Sequence, residues 1–272
     1  MTKPPSRYWD ELTWPDFQSL DPDRAVAVLP VSATEQHGPH LPLLVDGTIN
    51  RGLLTRALEL VSADLPVLVL PALPIGYSPE HRAFPGTLTV SATVLQQLWT
   101  EIGRSVHRAG IRKLLIFNSH GGQPQIADMV ARDLRAELAM MVTVAHSYGF
   151  GEPDGLFSDA EKRHGIHGGA NETSQMMQLR PDLVRGDKLS DFPSAAATVE
   201  QSYRELRLTD PAISLGWQTQ DLNPLGACGD ATSASAAAGQ ALIDHSARRL
   251  AELLAEISAF PLANLKSGPI AP

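Results

Sequence analysis

The sequence holds a single cysteine, Cys228, in 272 residues. No intrachain disulfide can form, and a zinc site built from several thiolates is excluded. Basic residues are also scarce: Lys plus Arg number 22 against 30 for Asp plus Glu, a formal net charge of −8. Nucleic acids and anionic membranes select a basic surface, so neither is an expected partner. No apolar run approaches the ~18–20 residues of a membrane helix. The leading stretch Met1-Thr2-Lys3-Pro4-Pro5-Ser6-Arg7 lacks the apolar core of a signal peptide. There is no GxxxxGK[ST] or GxGxxG to cradle phosphates, and no GxSxG to carry a serine nucleophile. These absences leave a cytoplasmic enzyme acting on a small molecule as the expectation.

Hydrophobic residues make up 43% of the chain, enough for a substantial core. Short apolar runs at 25–31, 67–70, 114–117 and 141–145 read as buried strands. Longer stretches with helical spacing separate them, at 47–63, 91–110 and 124–139, and another follows at 234–257. Alternation of this kind predicts a mostly parallel sheet with helices on both sides, within one domain over 1–272. Residues 186–228 show little periodicity and hold Pro193, Pro211 and Pro224. They read as a long surface excursion, the sort of segment that forms lids or interfaces.

The nine histidines are unevenly placed. Glu35, His37 and His40 follow the first strand, in SATEQHGPHLPLLVD, which ends at Asp46. His120, in NSHGGQ, follows the third. Ligands of open α/β sheets sit beyond the carboxyl ends of the strands, so these segments converge on one edge. Glu35 and His37, two apart in an extended segment, point to the same side. Gly121 and Gly122 let backbone approach a ligand closely. A third segment, HGIHGGANETS, carries His167 and then Glu172 at the start of a further helix. Mixed carboxylate and imidazole donors are what zinc, manganese or iron(II) accept. Amide hydrolysis at neutral pH gains from a metal because it lowers the pKa of bound water to about 7. His40, His107, His146 and His245 read as packing or capping residues.

With LPVSATEQHGPHLPLLVD at 29–46, FPGTLTV at 84–90, NSHGGQ at 118–123, HGGANETSQMM at 167–177 and RPDLV at 180–184 in this order, the chain resembles the creatininase (creatinine amidohydrolase) superfamily. The resemblance implies a three-layer α/β/α sandwich. It also implies a divalent metal centre that hydrolyses amide C–N bonds, in a homo-oligomer such as a hexamer. Glu35, His37, Asp46 and His120 match the family's metal ligands, with Asp46 as the bridge. Creatininase has a glutamate where Gly122 stands here, and Glu172 is the candidate to replace it at the second of one or two ions, with zinc expected before manganese or iron. His167 matches a histidine beside the substrate and is assigned as proton shuttle, with a packing role as the alternative. Ser78 and His81, in a loop GYSPEH that also holds Glu80, join Gly121 and Arg163 as expected substrate contacts. The two tryptophans that flank creatinine in the family align with Gly149 and Arg163, so creatinine is not the expected substrate. The expected activity is hydrolysis of a small cyclic amide, formamide or similar compound. The alternatives are a peptidase for a short modified peptide and a metal-binding protein without catalysis.

Overall fold

The computed structural model describes residues 4–209, 213, 215–266 and 268. Met1-Thr2-Lys3 of the leading stretch and Pro211 of the excursion lie outside them. After a short helix α1 (Trp14–Gln18) come β1 (Val26–Val31), α2 (Val45–Leu60), β2 (Val67–Val69), α3 (Ala92–Arg108), β3 (Lys113–Asn118), α4 (Pro124–Leu138) and β4 (Met141–His146). The second half holds α5 (Asp159–His164), α6 (Ala170–Leu179), β5 (Asp191–Phe192), α7 (Ala195–Ser202), α8 (Thr219–Leu222), β6 (Gly229–Asp230) and α9 (Ala236–Ala259).

Strands β1 to β4 form one sheet in the order β2-β1-β3-β4, and every neighbouring pair is parallel. The valine- and leucine-rich strands β1 and β3 are buried along their whole length, as sheets covered on both faces require. One face packs Val28, Leu115 and Phe117 against Leu53 of α2, Met176 of α6 and Leu250 of α9. The other packs Leu29 and Ile116 against Leu95 and Trp99 of α3 and Val130 and Leu134 of α4. Each such side chain contributes roughly 1.5–3 kcal/mol by leaving water. The result is the expected three-layer α/β/α arrangement.

Local features shape the carboxyl edge of the sheet and the packing behind it. Register aligns Val31 with Asn118 and Asn118 with His146, so three strands end level and their loops open at one edge. Asn50 of α2 ties that edge, donating from Nδ2 to the Phe117 carbonyl (3.0 Å) and Ser119 Oγ (2.9 Å). At the back, Gly239 lets α9 run against α6, since a Cβ there would meet the Ser174 carbonyl oxygen at 2.0 Å. The excursion is not structureless: β5 pairs antiparallel with β6, and α7 and α8 share a small core of Ala196, Leu208, Leu222 and Cys228. Among the described residues, no helix is long and apolar enough to cross a membrane.

Candidate metal centre

The edge where β1 and β3 end gathers the residues singled out from the sequence. Glu35 and His37 lie in the extended segment after β1, Asp46 in the first turn of α2, and His120 two residues beyond β3. Glu35, His37, Asp46 and His120 are each at most 2% exposed. The His37 ring donates from Nδ1 to the Glu35 carbonyl (3.0 Å), which leaves Nε2 facing Asp46 Oδ1 at 3.2 Å and Glu172 Oε2 at 3.9 Å. His120 donates from Nε2 to the Tyr77 carbonyl (2.9 Å), which leaves Nδ1 facing Glu35 Oε1 at 3.2 Å and Asp46 Oδ2 at 3.3 Å. Backbone carbonyls thus fix both rings with a lone pair turned inward, the usual device for holding a ligating imidazole. Asp46 lies between them, one oxygen toward each ring.

Glu172 sits in the first turn of α6, two residues inside the helix rather than at its opening. Gly168 adopts a left-handed φ of +64°, and its N–H donates to Glu172 Oε2 at 2.6 Å. That bond aims the carboxylate at His37. The segment before it is pinned by an antiparallel bridge between His167 and Cys228 and by the buried Glu161, whose oxygens accept from Ala170 N (2.6 Å) and Asp230 N (2.7 Å).

Charge is balanced in an unusual way. Burial alone would push His37 and His120 down. The carboxylates around them outweigh it: Glu172, Asp46 and Glu35 raise His37 to about 9, and Glu35 and Asp46 raise His120 well above its ordinary value. Glu172 is itself raised by burial, with Asp46 and Glu35 adding to the effect against His37. The cluster attracts positive charge. Moreover Glu35 Oε2 and Asp46 Oδ2 are buried without a hydrogen bond, although protein interiors pair nearly all such atoms. Among the described residues, three donor groups have ligand atoms within 4.8 Å of one another: Glu35–His37–His167, Glu35–Glu80–His120 and His37–Asp46–Glu172. Orphaned carboxylate oxygens beside inward-facing imidazoles fit a divalent cation in both charge and donor type.

His167 lies against this cluster, its ring between those of His37 (centroids 4.1 Å apart) and His81 (4.3 Å). Its Nε2–H donates to the Gln36 carbonyl at 2.6 Å, and Nδ1 is 3.9 Å from Glu35 Oε1. Burial, with His37 adding to it, holds His167 well below its ordinary value.

The expected substrate contacts divide. Ser78 is fully buried and its hydroxyl is 3.2 Å from His120 Nε2, so it braces a ring instead of facing open space. His81 is buried too; Gln36 Nε2 donates to its Nδ1 (2.7 Å), which turns its own Nε2–H toward Glu35 Oε1 at 3.4 Å. Gly121 is exposed at the mouth of the turn, with open space where a Cβ would be. Arg163 is on α5 rather than in a loop, and its guanidinium is bound to Glu200 at 2.7 Å on the exposed side. Gly149 is exposed, so neither aligned position presents a ring.

Sequence reasoning missed three residues. Gln36 links three segments, donating from Nε2 to Gly226 O (2.7 Å) and His81 and accepting from Gly38 N (2.9 Å). Thr219 of α8 places its hydroxyl 2.8 Å from His81 Nδ1 and 3.0 Å from the Glu80 carbonyl. Glu80 brings a further carboxylate to His120. Two of them carried a signal: Gln36 lies between Glu35 and His37, and Glu80 lies in the GYSPEH loop with Ser78 and His81.

Known proteins share this arrangement of elements. The family described as Creatininase: creatinine amidohydrolase matches residues 10–254. A mycofactocin precursor peptide peptidase of Mycobacterium ulcerans (strain Agy99) is 30% identical over 84% of this chain and 80% of its own. A creatinine amidohydrolase of Pseudomonas putida is 32% identical over 68% of this chain and 76% of its own. Among solved structures, a manganese creatininase superposes with a TM-score of 0.74 at 26% identity, covering 93% of this chain and 99% of that one. The match takes in every segment that builds the site, from the end of β1 to α6, and on that extent the chain belongs to the creatininase family.

Proposed function

We propose that the protein is a divalent-metal-dependent hydrolase that breaks an amide C–N bond at a two-ion centre. The observation that carries this is the pair of buried oxygens, Glu35 Oε2 and Asp46 Oδ2, left without hydrogen bonds beside inward-turned imidazoles. His37, Asp46 and Glu172 would hold one ion, and Glu35, Asp46 and His120 the other. A bound divalent ion polarises the carbonyl under attack and lowers the pKa of water to about 7. The chain's own groups do the rest. Asp46, with one oxygen toward each imidazole, sets the spacing of the two halves. Gln36 and Ser78 hold His81 and His120 in place. His167 keeps its Nε2 proton on the Gln36 carbonyl and turns Nδ1 toward the cluster; because burial and His37 hold it well below its ordinary value, a proton taken at Nδ1 is held only briefly and is readily given up to the leaving nitrogen.

The substrate we propose is a small amide other than creatinine, because Gly149 and Arg163 offer no ring faces to stack on it. Stacking of that kind is worth about 0.5–1.5 kcal/mol per ring pair beyond area burial. A second reading, a peptidase acting on a short peptide, is supported by the relatives that act on a mycofactocin precursor peptide. A panel of formamides, cyclic amides, creatinine and short peptides, assayed with metal-loaded and chelated protein, separates them. Metal-dependent cleavage of one class is expected. No bound metal and no cleavage of any member overturns the proposal; robust creatinine turnover overturns the substrate reading.

A further inference from the structure

The two edges of the sheet are finished differently. At the β2 edge the chain covers itself: Tyr8 bridges Val69 in parallel, and Val69 N donates to the Arg7 carbonyl at 2.8 Å. At the β4 edge, among the described residues, no segment pairs with the outer side of the strand. Met141 N donates to the Arg112 carbonyl at 2.9 Å, so Met141, Thr143 and Ala145 serve the ladder with β3. Polar groups alternate sides along a strand, which turns the N–H and C=O of Val142 and Val144 outward. Soluble proteins usually blunt such an edge with lysine, proline or a bulge. Met141-Val142-Thr143-Val144-Ala145-His146 holds no lysine and no proline, and its register with β3 runs one to one. Just past it Tyr148 is 54% exposed, its ring stacked on His146 at 5.1 Å.

The helices that flank this edge supply an independent observation, because their charges change sign along the strand. Both run antiparallel to β4. On α4, Asp128 lies at the carboxyl end of the strand, where its charge acts on His146 and Tyr148. Arg135, in the last turn of α4, lies at the amino end. On α9 the order is reversed. His245 and Arg249 donate to the Phe150 carbonyl beyond the carboxyl end, both at 3.1 Å. Glu252 and Glu256, three and seven residues past Arg249, continue the same helical stripe and are exposed. That stripe runs toward Ser258, whose carbonyl accepts from Lys113, the residue paired with Met141 at the amino end. A second copy laid antiparallel along the edge therefore brings Asp128 to Arg135 on one face and Arg249 to Glu256 on the other. A parallel copy would set like charges against each other.

We propose that β4 is an interface between two copies of this chain, paired antiparallel about a two-fold axis at Val144. Val144 then pairs with its own counterpart and Val142 with His146, and the two four-stranded sheets become one continuous sheet. The contact is self-complementary and closes, as a two-fold interface requires. It uses the backbone groups that β3 leaves unpaired, and Tyr148 adds an exposed ring at each end, a residue type enriched in interfaces. The inference stands apart from the metal-hydrolase reading.

The test is the assembly state of the full chain by sedimentation equilibrium, with amide hydrogen exchange read at single residues. Wild type is expected to self-associate, and the Val142 and Val144 amides should be protected in the assembly and exchange freely on dilution. Val144→Pro removes an outward N–H and spares the ladder with β3. It should weaken association by at least about 10-fold, for the two symmetry-related hydrogen bonds lost. Asp128→Lys should weaken association as well, and the double variant D128K/R135E should restore it, because it only exchanges the two charged ends. Circular dichroism checks each fold, and the charge variants keep the test available if Val144→Pro does not fold. A monomeric wild type overturns the interface, as does an oligomer in which Val142 and Val144 exchange freely. Protection that persists in a monomer overturns it too, because the chain then covers its own edge. A double variant as weak as D128K overturns the antiparallel pairing.

Discussion

Lys113 opens β3 and His120 lies two residues beyond its end, and the two ends of this strand handle buried charge in opposite ways. At the amino end the Lys113 ammonium is fully buried but satisfied, donating to the carbonyls of Ser258 (2.6 Å) and Phe260 (2.7 Å). Those carbonyls close the C-terminus of α9, where positive charge also suits the helix dipole. At the carboxyl end Glu35 and Asp46 keep buried oxygens with no hydrogen bond. The same fold that completes one charged site leaves the other open. The Lys113 charge is completed by the architecture; the oxygens at the other end stand beside two imidazoles, the donor set a divalent cation takes.

The largest effect should come from removing the group both halves of the open end share. Asp46→Ala is expected to lose most bound metal by elemental analysis and to cut turnover at least ~10³-fold. Glu172→Ala should lose less, since Glu172 joins the His37 half only, whereas Asp46 reaches both His37 and His120. Loading the wild type with metal should raise stability by about 2.7 kcal/mol at a free concentration 100 times Kd, and Asp46→Ala should lose that increment. Equal metal content in Asp46→Ala and wild type would show that the orphaned oxygens serve some other purpose.

His167 marks the border between the two kinds of site, because one nitrogen is satisfied and the other is not. It also falls in a donor group with Glu35 and His37, so a ligand role competes with a proton shuttle. The two differ in what removal does. A ligand's loss lowers metal content and activity together. We expect His167→Ala to keep its metal and lose about 10²–10⁴-fold in turnover, the range for a general acid or base. Metal analysis and kinetics on one preparation decide; lost metal reassigns the residue to the ion, and unchanged turnover returns it to packing.

The legibility of the fold and the site in the sequence divides along the same line. The strands were visible because each is a short apolar run, and the observed β1, β3 and β4 lie within a residue of the predicted bounds. Glu35, His37 and His120 were visible as a cluster because they follow strand ends, which a parallel sheet brings to one edge; that they and Asp46, in the first turn of α2, form one ligand set was legible only through the resemblance to the creatininase family. Ser91 capping α3 through Val94 N was visible for a local reason too. Thr219 and Glu161 were not. Thr219 meets His81 from 138 positions away, and Glu161 reaches Asp230 across 69. No local pattern encodes those pairings, which depend on how the excursion folds back over the edge. Ser78 and Arg163 show the converse. Their type suits a substrate contact, yet the folded chain engages one with His120 and the other with Glu200.

The satisfied end makes the complementary prediction. Lys113→Met leaves two carbonyls near the end of α9 without a donor. At about 1–3 kcal/mol per unsatisfied buried group, we expect a loss of ~2–4 kcal/mol in denaturant unfolding. Metal stoichiometry should be unchanged, because nothing at the carboxyl edge contacts this residue. A Lys113→Met protein with normal stability but reduced metal would erase the contrast between the two ends.

His40 carries the smallest effect and tests whether the open edge is bounded. It is fully buried beside the cluster, its ring stacked on Phe192 at 5.1 Å and its Nε2 3.0 Å from Thr173 Oγ1. Its Nδ1 has no hydrogen-bond partner, yet unlike Glu35 and Asp46, His40 belongs to none of the donor groups found among the described residues. Burial, with His37 adding to it, lowers His40 from 6.5 to about 4. Between those two values the unfolded chain takes up a proton that the folded chain refuses, so this contribution to stability is intact above the ordinary histidine pKa and is lost as pH falls through it toward 4. At pH 5 one such group costs about 1–2 kcal/mol relative to pH 7.5. His40→Phe keeps a ring against Phe192 and removes the titration. Its stability should therefore fall less than that of wild type between pH 7.5 and pH 5, by about that amount, when both are unfolded in denaturant with chelator present. The chelator matters because metal release at low pH would otherwise add its own slope. Parallel pH profiles for the two proteins would mean that His40 takes its proton as readily folded as unfolded, and that the polar edge of the site extends past Gly38 to include it.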